Sequence, residues 1–129
     1  MPTPRVLLFE RNPLLASVLV ELFGDEGIAV TMCQSLADIE LALLAHPSGV
    51  IVTDSWSDDL ASQLSPTEAA ALRQLGTRTG VVLTTGRTWA RQAHEIDLGE
   101  RVAVLSKPYE LDDLLAALQR VGLAERSAR

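Results

Sequence analysis

A chain of 129 residues that is 47% hydrophobic and 22% charged has the size of one domain with a core of its own, being too apolar for disorder and too short for a second domain. The net charge of −6 argues against nonspecific binding to nucleic acid or anionic membrane, because both need a basic surface. One cysteine, Cys33, excludes an internal disulfide and the usual thiolate zinc sites. The apolar run Val6 to Phe9 is too short for a signal-peptide core or a membrane span, so a reducing, cytoplasmic setting is expected.

Arg5 to Glu10 reads as a first buried strand. Asn12-Pro13 follows, an N-cap residue and a residue suited to the first helical position, so a helix should start here. Leu14, Leu15, Val18, Leu19, Leu22 and Phe23 recur at helical spacing, and Gly24 and Gly27 supply the stop. Ile28, Val30 and Met32 alternate as a second strand with one face less buried. Ser35 with Asp38 approximates a capping box and opens a second helix carrying Leu36, Ile39, Leu43 and Leu44, which His46-Pro47-Ser48-Gly49 ends.

Gly49-Val50-Ile51-Val52-Thr53-Asp54 is an aliphatic run that stops on a carboxylate, the pattern of a strand buried on both faces of a parallel sheet. The stretch from Ser55 to Ser65 reads as a loop. Ser65-Pro66-Thr67-Glu68 combines an N-cap, an N1 proline and an acidic third residue, predicting a helix that runs to about Leu75. Gly80 to Gly86 is a fourth strand. Trp89, Ala93 and Ile96 mark a weaker helix that closes around Gly99. Val102 to Leu105 is a fifth strand ending on Ser106-Lys107-Pro108, and Leu111, Leu114, Leu115, Leu118 and Val121 form the stripe of a last helix.

Strand and helix thus alternate five times, which specifies a doubly wound, five-stranded parallel sheet with helices on both faces. Residues 1–123 form the expected domain, and 124–129 a frayed tail. The carboxyl ends of the first, third, fourth and fifth strands would bring Glu10-Arg11, Asp54, Thr84-Thr85 and Lys107 to one edge, where ligands collect in such sheets.

This set resembles the receiver domain of two-component response regulators along essentially the whole chain, which implies a flavodoxin-like (βα)5 α/β fold. The resemblance implies Asp54 as phosphoacceptor, Thr85 before the small Gly86 as the hydroxyl contacting the phosphoryl group, Lys107 as its counterion and Tyr109 after Pro108 as the aromatic switch. Thr84 is a rival to Thr85, because neighbours in a strand point to opposite faces. The resemblance also implies Mg2+ bound by Glu10, Asp54 and the main chain of Trp56. The implied partners are a histidine kinase or phosphotransfer protein and a downstream protein target, with a homodimer as a further option, and no direct nucleic-acid or membrane contact. Such a module is not an enzyme beyond accepting the phosphoryl group.

The chain departs from the family at the acidic pair, since Arg11 stands where the second acid is expected, making it an atypical member. A guanidinium there repels magnesium and can itself pair with Asp54. Asp58 or Asp59 would be the replacement acid in Ser55-Trp56-Ser57-Asp58-Asp59. Two mechanisms follow: a phosphorelay receiver with Asp54 modified, or a phosphorylation-independent pseudo-receiver interaction module in which Arg11 takes the place of the metal. The acting surface would be the face around Tyr109 and the fourth helix.

Other classes have less support. Ser55 or Ser57 with His94 could be written as a hydrolase triad, but there is no Gly-x-Ser-x-Gly elbow. A small flavodoxin-like ligand-binding protein would need glycines in the Glu10-Arg11-Asn12-Pro13 turn. Cys33 reads as a buried, inert thiol, and His46 and His94 as lone histidines without a second ligand.

Overall fold

The computed structural model describes residues 3–56, 64–86 and 97–123. In chain order these form β1 (Arg5–Phe9), α1 (Pro13–Asp25), β2 (Ala29–Met32), α2 (Leu36–Ala45), β3 (Val50–Thr53), α3 (Pro66–Gly76), β4 (Val81–Thr85), β5 (Val102–Ser106) and α4 (Leu111–Val121). The predicted helix at Trp89, Ala93 and Ile96, the loop acids Asp58 and Asp59, Ser57, His94 and the tail 124–129 lie outside the described residues. All strand pairs are parallel, in the order β2-β1-β3-β4-β5. The chain moves one way from β1 to β2 and the other way from β1 to β3, so the topological switch point lies between β1 and β3.

The central strands β1, β3 and β4 bury both faces. Leu7, Ile51, Val81 and Leu83 point into one core with Ile39 and Leu43 of α2 and Leu72 and Leu75 of α3. Their neighbours Val6, Leu8, Val50, Val52, Val82 and Ala103 point into the other, with Leu19 and Phe23 of α1 and Leu114, Leu118 and Val121 of α4. This period-two division explains why the strands read as continuous apolar runs, and each fully buried aliphatic side chain contributes about 1.5–3 kcal/mol.

The helix starts follow the sequence signals. Asn12 Oδ1 accepts from the Leu14 and Leu15 amides at 3.0 and 3.3 Å with Pro13 in the first turn, and Ser65 Oγ accepts from Glu68 N at 3.1 Å. At α2, Ser35 Oγ accepts from Asp38 N, while the Asp38 carboxylate accepts from Gln34 N one residue earlier than the ideal box. Gly24 lies inside α1, and Gly27 at φ 76° makes the stop.

Two apolar stripes are narrower than predicted. In α1 the buried residues are Ala16, Leu19 and Phe23, while Leu14 and Val18 are exposed; in α2 they are Ile39, Ala42 and Leu43, and Leu44 is exposed. A helix lying on a flat sheet covers only the stripe that faces it, and small alanines allow the close approach. At the opposite end of the sheet, a Cβ on Gly80 would come within 2.8 Å of Val121 C and Cγ2, so only glycine lets β4 start beneath the end of α4.

Candidate functional site

The register delivers the acidic pair. Phe9 of β1 pairs with Thr53 of β3, so the next residues, Glu10 and Asp54, leave the sheet side by side at the switch point. The Asp54 amide still donates to Phe9 O at 2.8 Å, extending the ladder by one bond. Asp54 and Glu10 are both buried, at 7% and 8% exposure. Two carboxylates in such a place need a cation.

Lys107 supplies it from β5. Its amide donates to Thr85 O at 2.9 Å, which continues the pairing of Thr85 with Ser106 and aims the side chain back across the end of β4. The ammonium Nζ donates to Asp54 Oδ2 at 3.1 Å and to Glu10 Oε2 at 2.9 Å, and lies 2.8 Å from Glu10 Oε1 as an ion-pair contact. Glu10 Oε2 also accepts from Asn12 N at 2.9 Å, tying the pair to the cap of α1. Asp54 Oδ1 accepts from the Ser55 amide at 2.8 Å. Both oxygens of Asp54 are therefore held, while Glu10 Oε1 accepts no hydrogen bond.

Thr84 and Thr85 are both fully buried. The Thr84 hydroxyl donates to Thr53 O at 3.5 Å, between strands, whereas Thr85 is the one joined to Lys107 through the main chain. Tyr109 packs its ring against the α1/α4 core. Its buried hydroxyl has no hydrogen-bond partner among the described residues, and burial, reinforced by the charges of Glu10 and then Asp54, pushes its pKa up to about 12. Cys33 is buried, and its thiol is pushed up to about 11 by burial and then by Asp38, consistent with an inert side chain. Trp56 lays its ring against the α2/α3 core. Arg11 is exposed and borders an open groove of about 490 Å³ with Pro13, Ser17, Val20 and Met32.

One residue of the site was not anticipated. Glu68 reads from sequence as a capping carboxylate, and its amide does serve the cap, but its side chain is buried and accepts from Ser55 Oγ at 2.7 Å. The only signal was an acidic residue near the start of α3, and it carried no hint of the contact with Ser55. The same bond engages the hydroxyl of Ser55, itself 0% exposed, while His94 of the alternative triad lies outside the described residues.

Among the described residues no group of three His, Cys, Asp or Glu converges, and the two carboxylates present already share an ammonium. Glu10 Oε1 is the one carboxylate oxygen of the pair left without a hydrogen bond. Among the described residues this set is charge-compensated by the Lys107 ammonium and offers a divalent cation two carboxylates at most.

No family model and no curated protein matches the chain, but solved structures do. FixJ-N superposes with a TM-score of 0.68 at 24% identity, covering 94% of each chain. The signal receiver domain of an HD domain-containing protein from Pseudomonas fluorescens Pf-5 gives 0.66 at 21%, covering 93% and 94%. A response regulator from Thermotoga maritima gives 0.70 at 14%, covering 93% of this chain and 98% of that one. The chain has the receiver-domain fold. Within that fold Glu10, Asp54 and Lys107 form one bonded cluster at the carboxyl edge of the sheet, Thr85 touches it through the main chain, and Tyr109 is close enough to feel both carboxylates. No helix among the described residues is long and apolar enough to cross a membrane.

Proposed function

We propose that this chain is a receiver-type signalling module in which Asp54 accepts a phosphoryl group from a histidine kinase, a phosphotransfer protein or a small acyl phosphate. The observation that carries the reading is the Lys107 ammonium bonded to both Asp54 and Glu10 at the switch point of the sheet. An Asp54 oxygen lone pair attacks phosphorus and the bond from phosphorus to the donor breaks, its electron pair leaving with the donor group. The products are an aspartyl phosphate and the free leaving group. Lys107 offsets the charge on the transferred oxygens, the Thr85 hydroxyl donates to one of them, and Tyr109 responds by repacking its ring, reshaping the surface that a downstream protein reads.

A second reading has its own support. Lys107 already neutralises the pair and Arg11 stands in place of the second acid, so the same site can serve as a permanently closed pseudo-receiver that binds partners without phosphorylation. Exposure to acetyl phosphate with and without magnesium, followed by intact mass, separates the two. The first reading expects a single phosphoryl adduct that depends only weakly on magnesium. No adduct across millimolar magnesium favours the second.

A further inference from the structure

Glu68 takes no part in the phosphoryl transfer, yet it is 5% exposed, and a carboxylate that deep is costly unless its charge is met. It lies in the first turn of α3, where the helix dipole favours negative charge. Its carboxylate accepts from Ser55 Oγ, at 2.7 Å to Oε1 and 3.2 Å to Oε2. Ser55 is in turn the residue whose amide donates to Asp54 Oδ1 at 2.8 Å. The chain of contacts therefore runs from the start of α3, through a fully buried serine, to one oxygen of Asp54, and Lys107 holds the other oxygen.

A serine at the first position of a loop has a free φ and a free χ1 unless something fixes them. Here the hydroxyl is tied to a buried carboxylate thirteen residues away, which fixes the plane of the peptide between Asp54 and Ser55 and so the direction of the amide. We propose that Glu68 is a positioning residue for Asp54: by anchoring the Ser55 hydroxyl it aims the Ser55 amide at Asp54 Oδ1 and holds the carboxylate in the orientation from which it attacks phosphorus. This rests on the phosphoacceptor reading. In the step itself an Asp54 oxygen forms the new bond to phosphorus, and with acetyl phosphate as donor the acetate leaves with the electron pair of the broken bond. Glu68 touches neither, and acts through Ser55.

The test uses the 129-residue chain with Ser55→Ala, Glu68→Leu, the double variant, and Glu68→Gln, which keeps an acceptor oxygen for the serine. Amide hydrogen exchange by NMR reads the positioning directly. Loss of the anchor is expected to speed exchange of the residue-55 amide about tenfold, while the amides of Asp54 and Cys33, which donate to Phe9 O and Leu8 O, keep their rates. The phosphorylation rate with acetyl phosphate should fall about tenfold in Ser55→Ala and in Glu68→Leu, no further in the double variant, and should stay near wild type in Glu68→Gln. Uniform acceleration at all three amides, or an unchanged residue-55 amide in Glu68→Leu, would show that Glu68 only stabilises the fold and overturn the proposal. So would additive rate losses in the double variant. A wild-type chain that takes no phosphoryl group overturns the phosphoacceptor reading alone, and the amide measurement still decides whether Glu68 positions Ser55.

Discussion

Replacing Lys107 by methionine should be the most revealing single change at the site. Methionine keeps the length and apolar stem of the side chain but removes the charge that Glu10 and Asp54 share. The Glu10 side chain is 1% exposed, that of Asp54 10% and that of Lys107 21%, so little water is available to take over. Removing one partner of a buried pair costs about 3–5 kcal/mol, and the partial exposure of Lys107 places the expected loss near the lower end, about 3 kcal/mol. With a urea m-value of about 1.5 kcal/mol/M, the midpoint should fall by roughly 2 M. A domain of ordinary stability survives that loss and can be measured. The Glu10→Gln, Lys107→Met double variant removes one stranded charge as well and should recover about half of it. A Lys107→Met midpoint within about 0.3 M of wild type, or a double variant no more stable than the single, would show that the three charges are solvated and that the ammonium is not the counterion of a desolvated pair.

Two further perturbations probe other parts of the account. Tyr109 is the only tyrosine in the chain, so tyrosinate absorbance reports it alone, and the native midpoint should lie near 12 against the ordinary 10.0. The neutral phenol is favoured in the folded state, so its contribution to stability is complete below pH 10 and is lost as pH rises towards 12. Tyr109→Phe should flatten that part of the profile, with Cys33→Ala in the background because the raised thiol adds its own fall from the ordinary 9.0 to about 11. Gly80→Ala, which sets a methyl against the end of α4, should cost about 1–3 kcal/mol and lower Tm by roughly 5–10 °C. An unchanged Tm would mean that the approach of β4 to Val121 is looser than described.

The central strands were legible because they declare themselves locally: glycine-flanked runs such as Val50–Thr53 and Val81–Thr85 are buried on both faces, with threonine as their one polar residue type. The start of α1 was legible for an equally local reason, the Asn12 side chain reaching two amides within three residues. Burial along the helices was less so. Leu14, Val18 and Leu44 sit at plausible spacing, yet the sheet selects Ala16, Leu19 and Phe23 from α1, a choice made by the helix's rotation against strands that are distant in sequence. The cluster of Glu10, Asp54 and Lys107 could be anticipated because the edge rule needs only strand order. Glu68 could not, since an acidic third residue of a helix has a sufficient local explanation and the competing partner, Ser55, comes from a loop with no periodicity of its own. For the two threonines, alternation states that only one faces the site, and the bond from Thr84 to Thr53 O shows where the hydroxyl of the first is engaged.

The most direct test of the central claim is to locate the phosphoryl group. The wild-type chain and Asp54→Asn are incubated with acetyl phosphate, the acyl phosphate is reduced with borohydride, and the peptide spanning β3 is sequenced by mass spectrometry. One modified residue is expected, Asp54, with the modification absent from Asp54→Asn and diminished in Lys107→Met. Modification elsewhere, or an adduct that persists in Asp54→Asn, would contradict it.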